Sequence, residues 1–316
     1  MKRFKVLHKI SFVLLGGLLL LGISIYAYVP SIIADVKNPV ASLFNSELGS
    51  THLPAFERYG IRKGETRMIN INDSIRLSLY IVPSETGETR GTVLALHGYR
   101  SSKNRFLPAA RYFTRKGWQF IAVDLRAHNQ STGIQTGFSY YERYDISTLI
   151  DSLEKAGWIR SPLVLYGHSI GAATAVYVAA ERPEVKALIL ESCFDDFRHL
   201  LPNYWDYYVT DQTDMPDEMA AHFFERAQIP LDSIRPLDVA PAIHIPILQI
   251  QGEEDQKVRP AQARHLFDAF GSTQKQWLEI PQGTHNRLWL PDTTAYFRNM
   301  TIFLDSSLLA SPLQNQ

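Results

Sequence analysis

Leu163-Val164-Leu165-Tyr166-Gly167-His168-Ser169-Ile170-Gly171-Ala172-Ala173-Thr174-Ala175-Val176 decides the fold. Four apolar residues suit a buried strand, the small-residue run after Ile170 suits a closely packed helix, and the change of period falls on Ser169. A strand that turns into a helix so abruptly brings two backbones together, which is why glycine at 167 and 171 matters. The residue at the corner is held in a strained conformation that lifts its side chain clear of the sheet. Ser169 is therefore a serine whose address carries chemistry.

The same alternation repeats on either side. Short apolar runs at 92–96, 120–123, 185–190 and 247–250 read as central strands, and 75–81 and 275–280 as further strands. Residues 105–116, 144–155, 260–270 and 291–304 read as helices, with Gly117 and Gly157 stopping the first two. Repeated strand–helix units demand a mostly parallel sheet with helices on both faces, and ligands of such sheets bind at the carboxyl ends of the strands. Residues 194–240 break the rhythm, with Trp205, Tyr207, Tyr208, Phe223 and Phe224 interspersed among Asp206, Asp211, Asp214, Asp217 and Glu218. They read as a small helical cap, aromatics facing inward over an apolar substrate pocket and carboxylates outward.

The 316 residues suffice for one large domain with an insertion, and 32 basic against 32 acidic residues give no support to a nucleic-acid surface. The single cysteine, Cys193, excludes an intramolecular disulfide and an all-cysteine metal site. No cofactor is implied, and the carboxylates and His128 show no transition-metal spacing. Lys2, Arg3, Lys5 and Lys9 precede residues 12–29, which carry no charge. A run of about 20 such residues crosses a bilayer as a helix, basic flank on the cytoplasmic side. The expectation is a membrane anchor over residues 1–30 in an inner membrane, a linker over 31–64, and a domain over 65–310 outside the cytoplasm. A cleavable signal peptide is the competing reading and exports the domain too, although Ile25 and Tyr26 make a poor cleavage site beside Ala27.

A serine hydroxyl needs a base to take its proton, and an imidazole base needs an acid behind it to fix its tautomer. Asp255, in Gln251-Gly252-Glu253-Glu254-Asp255, follows the strand at 247–250, and His285, in Gly283-Thr284-His285-Asn286, follows the strand at 275–280. Both emerge at the same sheet edge as Ser169. Glu253, Glu254, Asp195 and Asp196 stay open as alternative acids. His97, His168 and His265 fit the base less well, lying at a strand end, within the elbow and within a helix. The oxyanion of an acyl-transfer intermediate would meet the backbone N–H of Ile170 and that of Tyr99, in the turn Leu96-His97-Gly98-Tyr99-Arg100. The polar block from Asp124 to Ser131 pins neighbouring loops or reaches the same face. Glu142 and Asp145 flank a helix start, where negative charge complements unpaired amides.

On His97-Gly98, the block Asp124 to Ser131, Gly167-His168-Ser169-Ile170-Gly171, Gly252 with Asp255 and Val258, and Gly283 with His285, the chain resembles the α/β-hydrolase superfamily. Within it the likeness is to membrane-associated or exported serine hydrolases that include monoglyceride-lipase-like, lysophospholipase-like and serine-aminopeptidase-like proteins. It spans about residues 65–305, with one departure: Asn129-Gln130-Ser131 stands where the family pattern usually ends in Gly-x-Ser. The resemblance implies attack by Ser169 on an acyl carbonyl, usually an ester, through an acyl-enzyme, with His285 moving the proton and Asp255 orienting it. A lipid-like small-molecule ester suits the anchor and the aromatic cap. A serine aminopeptidase is the alternative and would need a cap carboxylate to hold a substrate amino terminus; a noncatalytic scaffold has no use for three such groups in this order.

Overall fold

The computed structural model describes residues 17, 35–36, 56–208, 212, 214, 217–230, 232–289 and 292–308. The run at 12–29 read above as an anchor lies, apart from Gly17, outside the described residues, as does most of the linker. Among the described residues no helix is long and apolar enough to cross a membrane.

One sheet holds β1 (Glu65–Asn70), β2 (Arg76–Val82), β3 (Thr92–Leu96), β4 (Gln119–Asp124), β5 (Leu163–His168), β6 (Val185–Glu191), β7 (Ile247–Gly252) and β8 (Lys275–Ile280). Their order is β1-β2-β4-β3-β5-β6-β7-β8. β2 runs antiparallel to β1 and β4, and every other neighbouring pair is parallel. The crossovers are α1 (Leu107–Arg115), α2 (Glu142–Lys155), α3 (Ile170–Glu181), α6 (Pro260–Ala269) and, after β8, α7 (Thr293–Leu308), while α4 (Phe197–Tyr208) and α5 (Asp217–Ala227) form the cap.

Both faces of the sheet are covered, so successive residues of a central strand enter different cores. Leu94 and Leu96 of β3 join Leu149, Ile150 and Leu153 of α2 and Ala172, Ala175 and Val176 of α3. Val93 and Ala95 join Phe113 of α1 and Phe297, Met300 and Phe303 of α7. The helix members recur at three- and four-residue spacing, one apolar stripe per helix. Each buried side chain of this size contributes roughly 1.5–3 kcal/mol of hydrophobic stabilisation. β1 is the strand that periodicity misses. Its residues are almost all exposed, so no apolar alternation marks it.

The cap departs in part from expectation. Phe197, Phe223 and Phe224 are buried, but Tyr207 is exposed, with the Lys257 ammonium 4.9 Å from its ring centre. An aromatic ring that stabilises a cation can stay at the surface. Cap helix α4 is fastened to the loop after β7, where Asn203 donates to the Lys257 carbonyl at 3.0 Å and to Gln262 at 2.7 Å.

Candidate active site

At the end of β5 the chain turns on Ser169 at φ 54° and ψ −117°, and α3 begins with the next residue. L-residues rarely adopt that backbone, and the surroundings hold it in place. A Cβ on Gly171 would lie 2.0 Å from the Leu96 carbonyl oxygen, and one on Gly167 would lie 2.4 Å from the Ala172 Cα. The Ser169 amide donates to the Glu191 carbonyl at 2.9 Å, carrying the β5–β6 pairing through the corner.

β7 and β8 deliver the other two side chains to the same sheet edge. His285 Nδ1 lies 2.9 Å from Asp255 Oδ2 and 3.1 Å from Oδ1. A carboxylate only accepts, so Nδ1 carries the proton and Nε2 keeps the lone pair a base requires. Asp255 Oδ1 also accepts the amides of Lys257 at 3.0 Å and Val258 at 2.9 Å. Burial acts to raise the Asp255 pKa, but His285 beside it, the hydrogen bond between them and the Val258 amide outweigh burial and hold the carboxyl below its ordinary value.

The other acids fall away on geometry. Asp195 accepts from His199 at 3.1 Å and from His265 at 2.9 Å, Asp196 pairs with Arg235, and Glu253 and Glu254 are exposed. His168 is buried and directs Nε2 to the His285 carbonyl at 2.8 Å. The serine and the histidine are thereby joined through their neighbouring segments, while the Ser169 hydroxyl itself is buried and makes no hydrogen bond to His285. Catalytic hydrogen bonds of this kind commonly tighten only when substrate is bound.

Ile170 opens α3, so its N–H is among those a helix leaves without an intrahelical partner. The loop carrying Tyr99 lies against the serine: a Cβ on Gly98 would be 3.3 Å from Ser169 Cβ. The Tyr99 ring packs on Phe138 at 4.9 Å between centres, and Phe138 on cap residue Phe197 at 4.7 Å.

Glu142 and Asp145 stand in the first turn of α2 as expected, and each also holds a specific partner. The Glu142 carboxylate accepts from the Thr136 hydroxyl and the Gly137 and Ser139 amides, fixing the loop that presents Phe138. Asp145 forms a two-pronged pair with Arg126 at 2.6 and 2.8 Å. Glu191 is a residue the sequence reading missed. Its buried carboxylate receives the hydroxyls of Tyr166 and Tyr296 and the Arg105 guanidinium, directly beneath the elbow. The available signal was a charged residue closing the apolar run Ala187 to Leu190.

The family described as serine aminopeptidase, S33, matches residues 87–229. The fission-yeast (Schizosaccharomyces pombe) protein bem46 is 27% identical over 248 residues, covering 77% of each chain. The chain is similar to α/β-hydrolases of the monoglyceride-lipase and serine-aminopeptidase-like group. A thermostable monoacylglycerol lipase of Bacillus sp. (strain H-257) is 23% identical over 61% of the hydrolase and 82% of the lipase. A Saccharomyces cerevisiae protein named only as an uncharacterized membrane protein is 24% identical over 91% of the hydrolase and 94% of its own length. Among solved structures, an esterase of Pyrococcus furiosus superposes with a TM-score of 0.67 at 18% identity, covering 82% of the hydrolase and 96% of the esterase. The corner serine is shut away: Ser169 is 1% exposed and His285 7%.

Proposed function

We propose that the hydrolase cleaves a carboxylic ester with a lipid-like acyl group, through an acyl-enzyme on Ser169. His285 takes the serine proton as Oγ attacks the carbonyl, then gives it to the leaving alcohol; Asp255 holds the imidazole in the required tautomer and stabilises its charged form. The amides of Ile170 and Tyr99 receive the oxyanion. Water, deprotonated by His285, attacks the acyl carbonyl, and collapse of the second tetrahedral intermediate frees the acid and restores Ser169. The observation that carries this reading is the Asp255–His285 contact of 2.9 Å at the sheet edge where Ser169 stands in its left-handed corner.

An ester is favoured over a peptide. Of the cap acids that could grip an amino terminus, Asp206 pairs with Arg259 at 2.6 Å and Glu225 is exposed, while Asp211 lies outside the described residues. The aromatic contact of Tyr99, Phe138 and Phe197 supplies an apolar lining suited to an acyl chain. Because the Ser169 hydroxyl is sealed from solvent, substrate entry requires a covering segment to shift. Residues 12–29 are proposed as an inner-membrane anchor with the domain outside the cytoplasm, a reading supported by their length, their lack of charge and the name of the budding-yeast relative.

Fluorophosphonate labelling of the full chain tests the proposal. Wild type labels, Ser169→Ala does not, and acyl esters are turned over in preference to aminoacyl amides. Equal labelling of the two proteins, or preference for the amides, overturns it.

A further inference from the structure

We infer that His128 is a positioning residue of the oxyanion hole, holding the peptide planes around Tyr99 together with His97; the inference rests on the acyl-transfer reading of Ser169. β3 and β4 are parallel neighbours, so the loops that follow Leu96 and Asp124 leave the sheet side by side. Reciprocal histidine bonds tie them. His97 Nε2 accepts the Leu125 amide at 3.0 Å while its Nδ1 donates to the Gly98 carbonyl at 2.7 Å. His128 Nε2 accepts the Arg100 amide at 3.1 Å while its Nδ1 donates to the Arg126 carbonyl at 2.7 Å.

Amides only donate and carbonyls only accept, so each ring is fixed as the neutral Nδ1–H tautomer. An imidazolium would have no lone pair for the Leu125 or Arg100 amide. The two rings meet edge to face, with centres 4.8 Å apart, and both residues are fully buried.

Peptide planarity converts these bonds into an aim. In a trans peptide the N–H points opposite the carbonyl of the same plane. The Gly98 carbonyl is held by His97 Nδ1 and by the Ser101 amide at 3.2 Å, which turns the Tyr99 N–H the other way. The next plane, between Tyr99 and Arg100, is held through the Arg100 amide by His128. That second hold is needed because Arg100 sits at φ 54°, a left-handed conformation costly for a residue with a side chain. Releasing it lets Arg100 relax and swings the Tyr99 amide away from the developing oxyanion. His128 touches no reacting atom in this scheme.

The test uses the full chain, p-nitrophenyl butyrate as substrate and a trifluoromethyl ketone as inhibitor, because the ketone's tetrahedral adduct places an oxyanion on the same amides. For His128→Leu, kcat falls about 10- to 100-fold with KM nearly unchanged, the scale of a misdirected oxyanion donor. Ketone affinity falls in step. His128→Gln, whose carbonyl oxygen can accept where Nε2 did, recovers most of both losses. Wild-type kcat in His128→Leu overturns the inference, as does a kcat loss without loss of ketone affinity. Failure of the glutamine variant to recover function, or failure of both variants to fold, assigns His128 to the fold alone and overturns it too. A wild-type protein that neither labels nor hydrolyses the ester is a different result: it removes the acyl-transfer reading itself, and this inference with it.

Discussion

His168 donates from ring Nε2 to the main-chain carbonyl of His285, 2.8 Å away, although 117 residues separate them in the chain. The residue before the proposed nucleophile thereby holds the loop that carries the proposed base. Burial first, then the charges of Arg105 and His285, push the His168 pKa well below its ordinary value, so the ring stays neutral. Its Nδ1 is buried without a hydrogen-bond partner, against Gly98. The ring is thus a spacer with one directed bond, wedged between elbow, histidine loop and oxyanion loop.

Removing that bond should separate base from nucleophile without touching either. His168→Leu is expected to lower kcat on an acyl ester about tenfold or more, with KM changed little, since small displacements of a catalytic group are costly. Steady-state kinetics alongside a thermal melt check this. An unchanged kcat in a folded variant would show that the His285 loop holds its place unaided.

Asp255→Asn probes the other side of the imidazole. The carboxylate fixes the Nδ1–H tautomer through contacts of 2.9 and 3.1 Å, and an amide can present N–H in its place and turn the tautomer over. The expected loss is about 10⁴-fold in kcat. Circular dichroism should be unchanged, because the asparagine carbonyl can still accept the Lys257 and Val258 amides. Activity within tenfold of wild type would exclude Asp255 as the orienting acid.

Much of this architecture is readable from residue order because the central strands are buried on both faces. Thr92–Leu96 and Lys275–Ile280 coincide with the runs read from the sequence, and β5, β6 and β7 differ only in extending further toward the site. Those extensions are Gly167-His168, Glu191 and Gln251-Gly252, polar or small residues that hydropathy assigns to loops. The elbow and the Asp–His pair were legible because strand order and chain order agree from β5 to β8. Lys103 was not, since nothing in its sequence surroundings signals full burial, yet its ammonium is sealed against Asp124, Ser78 and Gln130. Asp145 likewise looked like a helix-start charge until Arg126 was brought to it from β4's exit loop. Long-range pairing of polar groups leaves no local period.

Glycine 171 separates steric need from mere turn preference. Gly171→Ala forces a methyl to 2.0 Å from the Leu96 carbonyl oxygen, a backbone atom that cannot step aside. Overpacking of this kind costs typically 1–3 kcal/mol and more where the backbone must shift. Gly157→Ala is the comparison, because its Cβ would meet nothing within 4 Å and pays only for a φ of +69°, roughly 1–2 kcal/mol. Urea unfolding of the two variants should rank Gly171→Ala as the more damaged; the reverse order would mean that the α3–β3 contact yields easily.

Acid should weaken the fold before its carboxylates titrate. His97 is buried, and burial foremost, with Lys103 and Arg105 adding to it, pushes its pKa from 6.5 down to about 3. His168 moves in the same direction. In the unfolded chain both rings take up protons near the ordinary value, so below about pH 6.5 the unfolded state binds more protons than the folded one and stability falls with pH. The contribution is intact above 6.5 and lost progressively until the folded ring itself protonates, near 3 for His97. Between pH 7 and 5.5 His97 removes about 1.2 kcal/mol, and His168 acts in the same direction. This interval lies above the window of Asp255, whose depressed pKa matters only as pH falls below the unfolded carboxylate value of about 3.9. Glu142 and Asp145, raised chiefly by burial, act in the opposite sense at pH values above the ordinary carboxylate range and offset part of the histidine slope. Urea midpoints at pH 7, 6.25 and 5.5 measure the slope, and His97→Asn should lower it. A slope that His97→Asn leaves unchanged would mean that this ring takes up a proton in the native state, and would remove the neutral His97 tautomer on which one of the oxyanion-loop ties depends.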